Sequence, residues 1–159
     1  MEIKVLSVRQ PWASLLLSGV KKYECRSWGP KRPGVLLMHA SSGKAGGLPQ
    51  LRTERLYQQA IAKAGLEEES AWPSSAIIGA VDVIRIWTPD RQPRLTVMDE
   101  YLVGDPQDAF LWEVGRRWLF PTSVRCHGKL MLWTPPPERR AALTRHLNRL
   151  GVPLDRLCA

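Results

Sequence analysis

Apolar periodicity changes several times along this chain, and the order of those changes limits the architectures open to it. Ile3 to Val8 is a short β-branched run and reads as a strand. Pro11 follows, its φ pre-set for a first helical turn. Trp12, Leu15, Leu16 and Gly19 then recur at i, i+3, i+4 and i+7, one face of a helix that Gly19 is placed to end in the left-handed conformation. Lys22 to Arg26 is predicted as a second strand, with Tyr23 and Cys25 on one face and Lys22, Glu24 and Arg26 on the other. Val35 to Ala40 is an apolar run expected to be a buried strand, and Ser41 to Pro49 is small and Gly-rich, hence a loop. Tyr57, Ala60, Ile61 and Ala64 mark another helix, closed by Gly65. Ala76 to Trp87 is expected to be a long strand, with Gly79 a bulge or close-approach point. Ala109 to Val114 alternates, and Lys129 to Thr134 is the last predicted strand, stopped by Pro135-Pro136-Pro137. Leu143, Leu147 and Leu150 space a C-terminal helix that Gly151 and Pro153 end. No periodicity assigns Thr88 to Gln107, a segment with room for a lid. Strand, helix, several strands with one helical insertion, then a terminal helix is the order of an α+β domain around a curved mixed sheet or small barrel.

The 159 residues fit one domain, large enough to fold without disulfide or metal. Cys25, Cys126 and Cys158 are odd in number and widely spaced, which suggests neither a disulfide framework nor a zinc ribbon. No cofactor is expected. The chain has no apolar run near the roughly 18 residues of a membrane span. No signal peptide is read at the N-terminus, and the expected location is the cytoplasm. Net charge is the more telling quantity: +8, with a pI of about 9.9. Such a balance is the electrostatic footprint of a nucleic-acid binder.

Lys21, Glu24 and Arg26 fall within six residues at the junction of the first helix and second strand. Glu24 and Arg26 share a strand face, roughly 6.5 Å apart. A buried lysine can lose its proton and act as base or nucleophile, whereas a neighbouring carboxylate would hold it charged as an anion binder. Arg26 offers a planar fork for a phosphate or a base edge. The same residues also suit a structural ion pair beside a helix C-terminus. Among the seven tryptophans, Trp12 and Trp133 lie on apolar faces and are expected in the core, while Trp28 and Trp112 are candidates for stacking on a base. His39 is either a strand-end core histidine or a cleft residue. Gln10 either reads a base edge or caps the adjacent helix. Arg116-Arg117 and Arg139-Arg140 look like solvated basic surface able to meet a phosphate backbone. No G-x-S-x-G, H-E-x-x-H or P-loop pattern is present.

Two blocks carry a family resemblance. Leu6-Ser7-Val8-Arg9-Gln10-Pro11-Trp12-Ala13-Ser14-Leu15 is followed by Gly19-Val20-Lys21-Lys22-Tyr23-Glu24-Cys25-Arg26-Ser27-Trp28. This opening resembles ASCH domains, whose hallmark G-x-K-x-x-E-x-R is matched by Gly19, Lys21, Glu24 and Arg26. Phe110 to Val114, and Gly128-Lys129-Leu130-Met131-Leu132-Trp133, are similar to the end of the same domain. Val35 to Ala40 and Ile77 to Val81 look like its middle strands. The resemblance implies a PUA-like mixed β-barrel with short flanking helices over residues 1–134; residues 135–159 lie outside it and are expected to form a C-terminal helical extension packed on the same domain. The resemblance also implies a pocket around the hallmark for single-stranded RNA or a nucleotide or nucleoside; with the residues read above, the candidate binding set is Gln10, Lys21, Glu24, Arg26, Trp28, His39 and Trp112. Some relatives are hydrolases, either ribonucleases or amidohydrolases of acetylated cytidine, for which Lys21 and Glu24 would be catalytic. The amidohydrolase branch carries a threonine just after its lysine, and Lys22-Tyr23-Glu24 stand here instead.

Overall fold

A computed structural model describes residues 2–159. Six strands form one mixed sheet: β1 (Val5–Gln10), β2 (Tyr23–Arg26), β3 (Gly34–Lys44), β4 (Ala76–Trp87), β5 (Phe110–Arg125) and β6 (Leu132–Trp133). Their spatial order is β2-β5-β4-β3-β1-β6, and the sheet curls into a half-barrel that leaves β2 and β6 as edges. Five helices flank it: α1 (Trp12–Ser18), α2 (Leu48–Leu51), α3 (Arg55–Ala64), α4 (Val97–Val103) and α5 (Arg140–Arg149). This is the α+β arrangement expected from the order of periodicities. None of the helices among the described residues is long and apolar enough to cross a membrane.

Only β1 and β3 run parallel, with Ser7 opposite His39 and Gln10 opposite Lys44. A parallel pair needs a crossover, and α1 and β2 lie within it. Gly19 ends α1 at φ 86°, as its position suggested. Arg117 completes that helix end: its Nε donates to Leu16 O at 2.8 Å and its Nη2 to Val114 O at 3.0 Å. The guanidinium therefore adds a second donor to a C-terminal carbonyl of α1, which Gly19 N also serves at 3.3 Å, and is not the solvated backbone contact expected from the sequence. Its neighbour Arg116 is exposed and lies over the Trp118 ring, 5.1 Å from the centroid.

The antiparallel core, β3-β4-β5, is longer than local patterning shows. β3 continues through Ser41-Ser42-Gly43-Lys44, the start of the predicted loop, because β1 pairs with it up to Lys44. β5 runs on from Val114 to Arg125. Its register breaks explain why the alternation was lost there: β5 advances from Leu119 to Val124 while β4 moves only from Gly79 to Ile77. Pro121 falls inside this bulge, where no ladder N–H is required of it. Gly79 is a true close approach, since a Cβ there would lie 2.5 Å from Trp118 O and 2.8 Å from a Leu17 methyl. The last strand is shorter than expected, two residues in place of six, because Gly128–Met131 loops out before Leu132 pairs with Leu6.

Three apolar clusters hold these layers together. Leu6, Val8, Leu16, Leu36, Met38, Ile78 and Trp112 fill one side of the sheet. Val5, Leu37, Trp118, Phe120 and Trp133 pack with Leu143 and Leu147 of α5 on the other. The chain beyond residue 134 is stitched to β3 as well, through Val35 N to Arg156 O (2.8 Å) and Cys158 N to Val35 O (3.0 Å). The third cluster joins Leu15 and Val20 to Tyr57, Ala60, Ile61 and Trp72, with Leu102 of α4. α4 lies in the segment that showed no periodicity. It starts at a capping box, Thr96 Oγ1 accepting from Asp99 N and Asp99 Oδ2 from Thr96 N, the T-x-x-D signature of Thr96-Val97-Met98-Asp99.

Candidate functional site

Lys21 follows the left-handed turn at Gly19 and is drawn back under α1 by its own N–H, which donates to Leu15 O at 3.0 Å. Lys22 O accepts from Val114 N at 2.9 Å, so the next residues enter β2 against β5. This geometry places Lys21 and Glu24 together in the interior, with 5% and 9% of their side chains exposed. Lys21 Nζ lies 3.8 Å from Glu24 Oε2 and donates to Tyr23 O. Arg26 Nε donates to the other oxygen, Glu24 Oε1, at 2.8 Å, and Arg26 Nη2 to Ser7 O at 2.9 Å. Glu24 is thus bridged by two cations, and half of the Arg26 fork is committed to the protein. Among the described residues Arg26 Nη1 has no hydrogen-bond partner.

Burial pushes the Lys21 ammonium below its ordinary pKa, and the Glu24 carboxylate partly opposes that shift. The lysine is held between the two roles that its sequence context allowed, with desolvation the stronger influence.

These two residues lie at a cavity of about 360 Å³, within the range of small-molecule sites. Its walls are Trp12, Leu51 and Cys25 on one part and Tyr101 to Val103 of α4, with Gly104 after it, on another. Trp12 is half-buried and meets Tyr57 edge-on at 6.3 Å, so the core role expected of it is only part of its work. Tyr101 donates its hydroxyl to Glu54 beside the start of α3, which fixes the ring in that wall. Burial and that carboxylate push the Tyr101 hydroxyl above the usual phenol range. Trp12 and Tyr101 are the wall residues that sequence reasoning missed. The helical face of Trp12 pointed to the core, and the capping-box signature was the available signal for α4.

The other candidates separate from this cavity. Gln10 is buried and spends its amide on α1: Nε2 donates to Ser14 Oγ (2.8 Å) and Pro73 O (3.0 Å), and Oε1 accepts from Ser14 N (3.1 Å). It caps the helix. Trp112 is completely buried, with Nε1 donating to Trp28 O at 3.1 Å, so neither ring face is open to a base. The stacking role expected of Trp112 is corrected accordingly. Trp28 packs edge-on against Trp112, 4.9 Å between centroids, and lines none of the cavities described here. His39 is buried at the wall of a separate cavity, with Nε2 bonded to Cys126 O at 3.0 Å. Burial also lowers its pKa. Of the seven predicted site residues, Lys21 and Glu24 alone line the 360 Å³ cavity, with Arg26 attached to it through Glu24.

The model of the ASCH domain matches residues 6–102, more than half of the chain, from β1 to the end of α4. The second block of the resemblance, from Phe110 onward, lies beyond that match. Activating signal cointegrator 1 of Homo sapiens is 37% identical over 79 residues, which are 50% of this chain and 13% of that protein. The Mus musculus protein of the same name is 34% identical over 79 residues, again 50% of this chain and 13% of the relative. The matched stretch is therefore a small part of those relatives. With the family match spanning residues 6–102 and the sheet curled into a PUA-like half-barrel, the chain belongs to the ASCH domain family.

Proposed function

We propose that this protein binds single-stranded RNA, or a nucleotide from it, in the cavity at Lys21 and Glu24. The observation that carries this reading is a buried lysine–carboxylate pair at a base-sized cavity walled by Trp12 and Tyr101. The aromatic walls suit a base, whose stacking is worth roughly 1–3 kcal/mol. The buried pair supplies both a donor and an acceptor for a polar base edge. The net charge of +8 and the RNA-binding character of the ASCH family support the same ligand class. The test is fluorescence anisotropy of a labelled single-stranded RNA against wild type and Lys21→Gln, at two salt concentrations, with thermal melts to show that the variant is folded. The expected result is salt-sensitive binding that Lys21→Gln weakens at least tenfold. Equal affinity of the two proteins would overturn the reading.

One observation favours a second reading, hydrolysis of the bound RNA or nucleoside. Desolvation of Lys21 lowers its proton affinity, which is what a general base near neutral pH requires. A denaturing gel of the same samples discriminates. Product formed by wild type and lost in both Lys21→Gln and Glu24→Gln supports hydrolysis, and intact RNA after prolonged incubation excludes it for that substrate.

A further inference from the structure

Three cavities follow one another along the parallel pair β1 and β3. At Trp12 and Gly46, just past the ends of both strands, is the Lys21 cavity. Two residues back, Gln10 and Lys44 line a second, of about 190 Å³. Further back, the Ser7–His39 pair lines a third, of about 290 Å³, which shares Ser41 and Ser42 with the second. Arg26 links a residue of the first cavity to one of the third: Nε holds Glu24 and Nη2 holds the Ser7 carbonyl.

The third cavity is chemically unlike the first. No aspartate or glutamate lines it; Ser7, Ser41, Ser42 and Ser75 do, with His127 and Lys129 exposed at its rim. The adjoining hollow shares Ser75 and His127 and adds Arg125 and Arg139. At its base His39 is 1% exposed, and its tautomer follows from its partner. Cys126 O can only accept, so Nε2 carries the proton and Nδ1 presents a bare lone pair. Among the described residues Nδ1 has no hydrogen-bond partner. A buried acceptor left unmade is costly and calls for a donor. Trp133 packs edge-on against the ring at 5.5 Å, and Gly128 lies close over it: a Cβ there would lie 2.6 Å from His39 Cε1 and 2.8 Å from both Nδ1 and Ser7 Oγ. The loop that carries Gly128 also presents Leu130 at 91% exposure and Met131 in the left-handed region at φ 59°, an apolar lip for which the fold itself has no use.

We propose that the His39 cavity is a second nucleotide subsite, so that the ligand is an RNA strand laid along β1 and β3 across both end cavities rather than a lone nucleoside. With Gly128 drawn aside from the ring, His39 Nδ1 accepts an N–H of the base, the 127–131 loop flanks it, and Lys129 with Arg125 meets the phosphates. Glu69, the one carboxylate in the middle cavity, is neutralised by a two-pronged bond from Arg52 (2.8 and 2.7 Å) and by Lys44 at 3.9 Å. The strand therefore crosses no free negative charge there. The proposal rests on the RNA-binding reading of the Lys21 cavity.

The experiment uses full-length protein labelled with 15N-histidine and a mixed-sequence RNA hexamer. Nitrogen resonances of His39 are followed by NMR, while anisotropy gives hexamer affinity against salt for wild type, Lys21→Gln and Lys129→Ala. Lys129 is exposed, so its loss leaves the fold intact. The expected result is an upfield move of the His39 Nδ1 resonance on saturation. Lys129→Ala should lower the salt slope by about 0.7, one phosphate's share for a single strand. If Lys21→Gln weakens the hexamer but His39 is unmoved and Lys129→Ala binds as wild type, the second subsite is wrong and the Lys21 reading survives. If His39 and Lys129 respond while Lys21→Gln is silent, the strand does not reach the first cavity, and the continuity is refuted. No hexamer binding by wild type overturns both.

Discussion

The Lys21 cavity and the His39 cavity stand at opposite ends of the same strand pair, and they handle charge in opposite ways. At the first, the hallmark residues are mostly spent on each other: Lys21 and Arg26 both serve Glu24, and Arg26 also serves Ser7. At the second, the cationic groups are exposed at the rim and the buried group is a neutral, unpartnered imidazole nitrogen. A cluster that looks like a concentrated positive site in sequence is thus nearly self-neutralised in the fold. Free cationic surface is found instead at exposed residues outside the hallmark, such as Arg125, Lys129 and Arg139.

The largest effect expected from breaking the first end is on stability. Glu24→Gln leaves Lys21 buried without its counter-charge, a change that costs about 3–5 kcal/mol in comparable sites. Urea denaturation at neutral pH should show this, and the loss should shrink as the pH rises, because Lys21 can then shed its proton. A loss that is independent of pH would mean that Glu24 acts through packing and Arg26 alone. At the other end, Gly128→Ala drives a methyl into His39 and Ser7 Oγ. A cost of about 1–3 kcal/mol is expected from overpacking. The His39 ring resonances should shift, while Lys21→Gln should leave them alone.

The smallest effects are in pH dependence, and they sharpen the contrast. Both Lys21 and His39 bind protons less readily folded than unfolded, so stability rises with pH between each folded value and the ordinary one. For His39 the contribution is fully present above pH 6.5 and is lost as pH falls from there through the lowered folded value. For Lys21 it accrues as pH climbs toward 10.5. Denaturation midpoints measured from pH 5 to 10 should therefore lose their acid slope in His39→Asn and their alkaline slope in Lys21→Met. Swapped or unchanged slopes would show that other groups dominate.

Local chemistry made much of the fold legible. The i, i+3, i+4 face and Gly19 defined α1, Gly65 ended α3 at φ 67°, and Ala76 to Trp87 was one strand from end to end. These features depend on contacts within one turn or on side-chain alternation, both written in neighbouring residues. Glu24 and Arg26 were readable as partners for the same reason, being two apart on one strand. What failed locally were the elements decided by partners far away in sequence. β3 reached Lys44 because β1 lay beside it, and β5 kept its course through Pro121 because a bulge against β4 absorbed the break.

The tryptophans mark the same boundary most plainly. Their number was visible, but a Trp on an alternating strand has no local signal for which face the sheet will close over. Trp112 ended wholly inside and Trp12 at a cavity wall. By itself the sequence determined the element order, the hallmark cluster and the excess of positive charge, since these are properties of composition and short spacing. Only the tertiary structure decided that the cluster is charge-paired, that α4 walls its cavity and that His39 keeps a bare nitrogen, because burial and hydrogen-bond satisfaction exist only once distant strands are brought together.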